Sequence, residues 1–185
     1  MRKIELRDIM RYYVSYYDIE KNIIDAILTK KSIKRETAYY RYVNNYMKIG
    51  RNFKPKSAAM VLGTVDNMLR NEGNLGVEVL SDRFVSGELV SRPEIKNVKV
   101  AASKLLWLFN KETIIMDNNN MQVLKVKSYK EYVIKWTDLF EQKIIEIDAL
   151  IKLHFKNIDQ ILDERWFKMR VFDMYLLSVY AENLK

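Results

Sequence analysis

Apolar residues recur every three to four positions along most of the 185-residue chain, which is the spacing of one face of an α-helix. Turn-forming residues interrupt this pattern, above all at Gly50, at Pro55 and in the glycine-containing turn of residues 72–76. Asp18 is a suitable N-cap residue and predicts that a new helix begins there. The N-terminal helices are therefore predicted over residues 4–16, 19–31, 34–48, 56–71 and 77–86.

The second half of the chain has no glycine after Gly87, so it lacks the residues that favour the repeated tight turns of an all-β meander. Ser128 is predicted to cap a long helix, with Glu131 in the matching position of a capping box. The longest helices expected here begin near Pro93 or cover residues 129–156 and 163–184. The pattern predicts an all-α fold, a compact multi-helix domain with a C-terminal bundle.

The turn at residues 72–76 is the clearest internal boundary of the sequence. It predicts a basic, tyrosine-rich N-terminal helical part over residues 1–74 and a C-terminal helical bundle over residues 75–185, packed either as two subdomains or as one compact domain. No window has the ~18 uncharged apolar residues of a membrane helix, and the N-terminal sequence lacks the apolar core of a signal peptide. With no cysteine in the chain, these features predict a cytoplasmic protein without a membrane partner.

The composition excludes several kinds of active site. The absence of cysteine removes disulfides, thiolate metal sites and cysteine nucleophiles, and the single histidine, His154, cannot build a multi-histidine metal site. No phosphate-binding loop or dinucleotide-binding glycine motif is present. The run "DNNN" that begins at Asp117 lacks the later ligands of a calcium loop and is typical of a helix N-cap. We therefore expect no metal site and no cofactor.

The excess of positive charge, +8 overall, lies in the first third of the chain. Residues 1–56 contain 14 Lys and Arg against 6 Asp and Glu, whereas residues 57–185 contain 18 of each. Tyrosines are interleaved with these cations. Because cations bind phosphates and exposed aromatic rings stack on bases, the mixture is typical of a nucleic-acid-binding surface. The cations predicted to contact phosphates are Lys34, Arg35, Arg41 and Arg51.

The same segment has a structural interpretation. Tyr39, Val43 and Tyr46 fall at helical spacing, which predicts that several of the rings pack in the core and that the cations form a solvated face. DNA is the expected partner of this segment. RNA and an acidic protein are the alternatives.

A second notable stretch is the apolar helix predicted over residues 98–109, which carries Lys104 in its middle. A lysine inside such a helix extends its ammonium group to the surface, pairs with a carboxylate, or has a lowered pKa. Asp173 is a similar charge inside the last predicted helix, with Arg170 one turn before it. Because charges in apolar helices are usually paired, a structural pair such as Lys104 with Asp173 is favoured over catalysis.

Four segments in order carry a resemblance to a known family. They are "ASKLLWLF", "IIMD", "YKEYVIKW" and "RWFKMRVFDMYLL", and they span about residues 97–185. Together they resemble a bacterial group related to 8-oxoguanine DNA glycosylase, within the helix-hairpin-helix DNA glycosylase superfamily. The resemblance implies a DNA glycosylase-like helical bundle.

The resemblance also implies roles for three residues. Asp117 falls at the position of the superfamily's catalytic aspartate, Lys99 falls near the position of its lysine, and Lys104 is a second candidate for that lysine. In the implied reaction a base is flipped out of the duplex, Asp117 stabilises positive charge on the sugar, and a lysine or water attacks the sugar carbon. The reaction needs no cofactor.

Two other classes of function remain open from the sequence. One is a non-catalytic nucleic-acid-binding protein that keeps the fold and the basic face. The other is a protein-binding module of phage or phage-defence origin, whose basic face contacts an acidic protein. Base-release assays separate the glycosylase from the first class, and a salt titration of DNA binding separates both from the second.

Overall fold

The computed structural model confirms the all-α prediction. It describes residues 5–29, 32–50, 57–72, 75–87, 89–90, 98–154 and 164–183, and within these ranges it contains eight α-helices, one π-helical turn and no β-strand. The helices are α1 (Leu6–Leu28), α2 (Ser32–Arg41), α3 (Ala58–Glu72), α4 (Val77–Ser86), α5 (Lys99–Phe109), α6 (Asn118–Leu124), α7 (Tyr129–His154) and α8 (Arg165–Asn183). The π turn, Tyr42–Tyr46, follows α2 directly.

The first helix differs from its prediction. The sequence suggested a break before Asp18, but α1 continues through this position to Leu28, so the prediction of two helices was wrong. Asp18 is exposed on the continuous helix. The physical reason is that a good N-cap residue does not end a helix by itself, and no glycine or proline occurs within α1.

The contacts divide the chain into two compact units. Unit 1 comprises residues 1–16 and 114–185, and unit 2 comprises residues 17–113. The boundary predicted between residues 74 and 75 therefore falls inside unit 2. Sequence distance does not decide the division, since Tyr13 of α1 packs on Phe167 of α8 in unit 1 with 5.1 Å between ring centroids.

The core of unit 1 is aromatic and lies between α7 and α8. The ring of Trp136 is 4.9 Å from that of Phe140 and 5.1 Å from that of Phe172, and all three side chains are buried. Such contacts add to the hydrophobic gain of burying large rings. This core fixes the two helices that carry the polar groups described below.

The start of α7 confirms the predicted capping box. The Ser128 hydroxyl accepts a hydrogen bond from the Glu131 N–H at 3.2 Å, and the Glu131 carboxylate accepts from the N–H groups of Ser128 and Lys127 at 3.3 and 3.1 Å. These backbone hydrogen bonds, that from Lys127 first, lower the pKa of the Glu131 carboxyl. The local signal in the sequence was sufficient because every partner lies within one helical turn.

Helix α5 forms the centre of unit 2. Every residue from Ala101 to Leu108 is buried, as the apolar pattern predicted. The Ser81 hydroxyl of α4 accepts a hydrogen bond from the N–H of Val98 at 3.2 Å, which fixes the start of α5. In the described part of the chain, no helix combines the length and the apolar character needed to span a bilayer.

Candidate functional site

Residues 32–50 of the predicted basic segment, which belong to unit 2, contain three exposed cations. Lys34 and Arg41 lie two turns apart on α2, and Lys48 follows the π turn with a left-handed backbone at φ 52°. We call these three residues the cationic face. Tyr40, which precedes Arg41 in the sequence, leaves 44% of its surface exposed, so α2 also presents an exposed aromatic ring.

A shallow groove of about 260 Å³ lies between α1 and α2 beside this face. Arg41 is the cationic residue of its lining, and the remaining lining residues are Ile19, Asn22, Ile23, Ala26 and Ala38. None of these described lining residues carries a carboxylate. The groove therefore places Arg41 where an anion could approach both a cation and an amide.

Arg35 has a different environment from its neighbour Lys34. Its Nη2 atom donates to Oδ2 of Asp66 on α3 at 2.8 Å, and its Nε atom donates to the carbonyl oxygen of Ile27 on α1 at 2.8 Å. Asp66 is buried. Arg35 thus holds three helices of unit 2 together. Arg51, the fourth predicted phosphate contact, lies outside the described residues.

The tyrosines of the segment divide between core and surface. Tyr39 and Tyr42 are fully buried, Tyr46 is half-buried, and Tyr40 is exposed. Burial raises the pKa of the Tyr39 hydroxyl far above its usual range. The prediction that several of these rings pack in the core is confirmed, and Tyr40 remains as the ring that could stack on a base.

Asp117 is the N-cap residue of α6, as the sequence predicted. Its Oδ1 atom accepts a hydrogen bond from the N–H of Asn119 at 2.9 Å, and the side chain is half-buried. Such a cap satisfies a backbone donor at the helix start. What else the Asp117 carboxylate can do depends on the groups around it in unit 1.

One of these neighbours is Asp173, a buried carboxylate on α8. It accepts a hydrogen bond from the indole N–H of Trp136 at 2.9 Å, and an Arg170 guanidinium nitrogen lies 3.5 Å from its other oxygen. The amide nitrogen of Asn120 donates to the backbone oxygen of Asp173 at 3.3 Å, which ties α6 to α8. We call Asp117, Asn120, Trp136, Arg170 and Asp173 the carboxylate cluster.

The cluster has an unusual protonation equilibrium. Burial raises the pKa of the Asp173 carboxyl to about 6, the negative charge of Asp117 adds to the rise, and Arg170 and Trp136 oppose it. Sequence reasoning identified Asp173 as an isolated charge in an apolar helix. It could not place Asp173 near Asp117, because the two residues are joined only by the packing of α6 against α8.

The two candidate lysines are held by partners in unit 2. Nζ of Lys99 lies 3.4 Å from Oε1 of Glu78. Nζ of Lys104 donates to the carbonyl oxygen of Met47 at 3.3 Å, and the Tyr42 hydroxyl donates to the backbone oxygen of Lys104 at 2.7 Å. Lys104 and Asp173, suggested above as a pair, thus have partners within their own units. Asp117 belongs to unit 1 and both lysines to unit 2.

The described residues contain no cluster of metal-ligating side chains. Across the described ranges, no three His, Asp or Glu side chains lie closely enough together to hold a metal ion. Comparison of the chain with protein-family models, with curated proteins and with solved structures found no match. Within the described residues, the cationic face and the carboxylate cluster are the features from which we propose a function.

Proposed function

We propose that this protein binds nucleic acid, DNA in particular, through the cationic face of unit 2. The supporting observation is that Lys34, Arg41 and Lys48 are exposed, as is Tyr40 beside Arg41 in the sequence, whereas the neighbouring Arg35 is engaged inside the fold. Exposed cations bind phosphates by releasing condensed counterions. Tyr40 can stack on an unpaired base, which favours single-stranded or locally opened DNA.

Fluorescence anisotropy of a labelled oligonucleotide tests the proposal. We expect binding at low salt that weakens linearly with the logarithm of the salt concentration, for a single strand and a duplex of the same sequence. Replacing Tyr40 with Leu should weaken binding of the single strand more than binding of the duplex, because only unpaired bases offer their faces. No binding to either oligonucleotide at low salt would refute nucleic-acid binding.

A second candidate function is base excision at Asp117, as the resemblance to DNA glycosylases implies. It is supported by a half-buried carboxylate at a helix entry with the buried Asp173 beside it. Because both candidate lysines are engaged by partners in unit 2, we favour attack by water over attack by a lysine. Asp117 would then stabilise the positive charge that develops on the sugar.

The substitution Asp117→Asn distinguishes this chemistry from capping. Asparagine caps a helix about as well as aspartate, so the melting temperature should change little. If Asp117 stabilises a cationic transition state, base release from damaged DNA should fall by orders of magnitude.

Borohydride trapping should give no covalent adduct if water is the nucleophile. An adduct that disappears in Lys99→Ala or Lys104→Ala would restore the lysine mechanism. The absence of base release from the parent protein would remove the enzymatic function.

A further inference from the structure

Unit 2 has a second groove on the side formed by α3 and α4. Its volume is about 490 Å³, and its lining residues are Ala59, Met60, Gly63, Thr64, Asn67, Met68, Asn71, Arg83 and Leu89. Among these described lining residues, Arg83 alone carries a charge. The groove is therefore partly apolar, rich in amide groups and positively charged.

The floor of the groove is open around Gly63. A Cβ atom added there would meet nothing within 4 Å, so internal packing does not require glycine at this position. Glycine inside a helix lowers stability relative to other residues. Met60, one turn before Gly63, leaves 51% of its surface exposed. The open floor and the exposed methionine together form a surface on which another helix could pack closely.

The outward face of α7, in unit 1, has matching chemistry. Ile134 and Ile145 are exposed to 54% and 73%, and Asp138 and Gln142 are exposed between them. Ile145 follows Ile134 by eleven positions, about three helical turns, which places the two on one side of the helix about 16 Å apart. The groove wall from Ala59 to Asn71 has a similar length, about 18 Å at the same rise per residue.

We propose that the α3–α4 groove of one copy binds the outward face of α7 of a second copy. The isoleucines would pack on the apolar floor around Met60 and Gly63, and Asp138 would approach Arg83. The opposite charges of Arg83 and Asp138 favour this occupant over a basic or wholly apolar helix. The contact joins two different surfaces and is therefore heterologous. A contact between one groove and one helix face is at the small end of specific interfaces, so we expect weak self-association.

Two substitutions block the two surfaces separately. Gly63→Met fills the groove, and Ile145→Glu places a charge in the apolar part of the α7 face. Matched controls outside these surfaces are Gly76→Met, where an added Cβ atom also meets nothing within 4 Å, and Ile19→Glu, which replaces an apolar residue of α1 that is 46% exposed. Gly63→Met should raise the melting temperature, which shows that the variant folds.

Sedimentation velocity over a range of concentrations tests the proposal with the full chain. We expect the parent and both controls to self-associate, and Gly63→Met and Ile145→Glu each to stay monomeric. A mixture of the two blocked variants should form a heterodimer, because one supplies an intact α7 face and the other an intact groove. A monomeric parent, or a Gly63→Met variant that associates like the parent, would overturn the proposal. So would a mixture that remains monomeric.

Discussion

The cationic face of unit 2 and the carboxylate cluster of unit 1 place charge in opposite environments. Lys34 and Arg41 are exposed to water, whereas Asp173 is only 4% exposed and depends on Trp136 and Arg170. An exposed charge costs little to fold and remains available to an external anion. A buried charge is committed to internal partners and makes stability depend on pH. We therefore expect the exposed charges to control binding and the buried charges to control folding.

Arg35→Ala should have the largest effect on stability, since it leaves the Asp66 carboxylate buried without its ion-pair partner. We expect a decrease of about 2–4 kcal/mol in the free energy of unfolding, measured by urea denaturation. Lys34→Ala is the matched control and should change stability by no more than about 0.5 kcal/mol. Equal decreases in the two variants would contradict the distinction between the two residues.

Asp173→Asn should change the pH dependence of stability. The pKa of Asp173 is about 6 in the folded protein and about 3.9 when unfolded, so the folded state holds the proton more tightly. The stabilisation is complete below the unfolded pKa and is lost as pH rises through 6. This change is up to about 3 kcal/mol in the parent and should be absent in Asp173→Asn.

Urea denaturation of the parent and of Asp173→Asn between pH 4 and pH 7 gives the difference between their free energies of unfolding at each pH. The titration of other groups affects both proteins and largely cancels in this difference. Asp18→Asn, at an exposed carboxylate of α1, is the control and should follow the parent. Parallel stability profiles for the parent and Asp173→Asn would show that Asp173 titrates as in the unfolded chain.

Ser128→Ala should have a smaller effect, a decrease of about 1 kcal/mol, because it removes one capping hydrogen bond at an exposed helix start. Ser15→Ala is a suitable control, since Ser15 lies within α1 and its hydroxyl donates to the Tyr12 carbonyl three residues before. Alanine has the higher helix propensity, so this control should not lower the melting temperature. A decrease in both variants would assign the effect to something other than the capping box.

The sequence was sufficient wherever the interaction is local. Helical periodicity predicted the all-α fold and the buried α5, and the capping box of Ser128 and Glu131 was readable because its partners lie within one turn. The sequence could not show that Arg35 forms a structural ion pair while Lys34 is exposed, because the two residues are adjacent in one basic run. The difference comes from two partners of Arg35 on other helices, the Ile27 carbonyl oxygen of α1 and the Asp66 carboxylate of α3. The proximity of Asp117 to Asp173 likewise depends on the packing of α6 on α8.

The salt dependence of DNA binding tests the central claim most directly. The variant Lys34→Ala, Arg41→Ala and Lys48→Asn removes the cationic face, and asparagine suits the left-handed backbone at residue 48. We predict weaker binding and a salt slope shallower by about one unit for each phosphate-binding cation that is removed, whereas Arg35→Ala, compared below its melting temperature, keeps the parent slope. An unchanged slope in the triple variant, or an equally shallow slope in Arg35→Ala, would contradict the account.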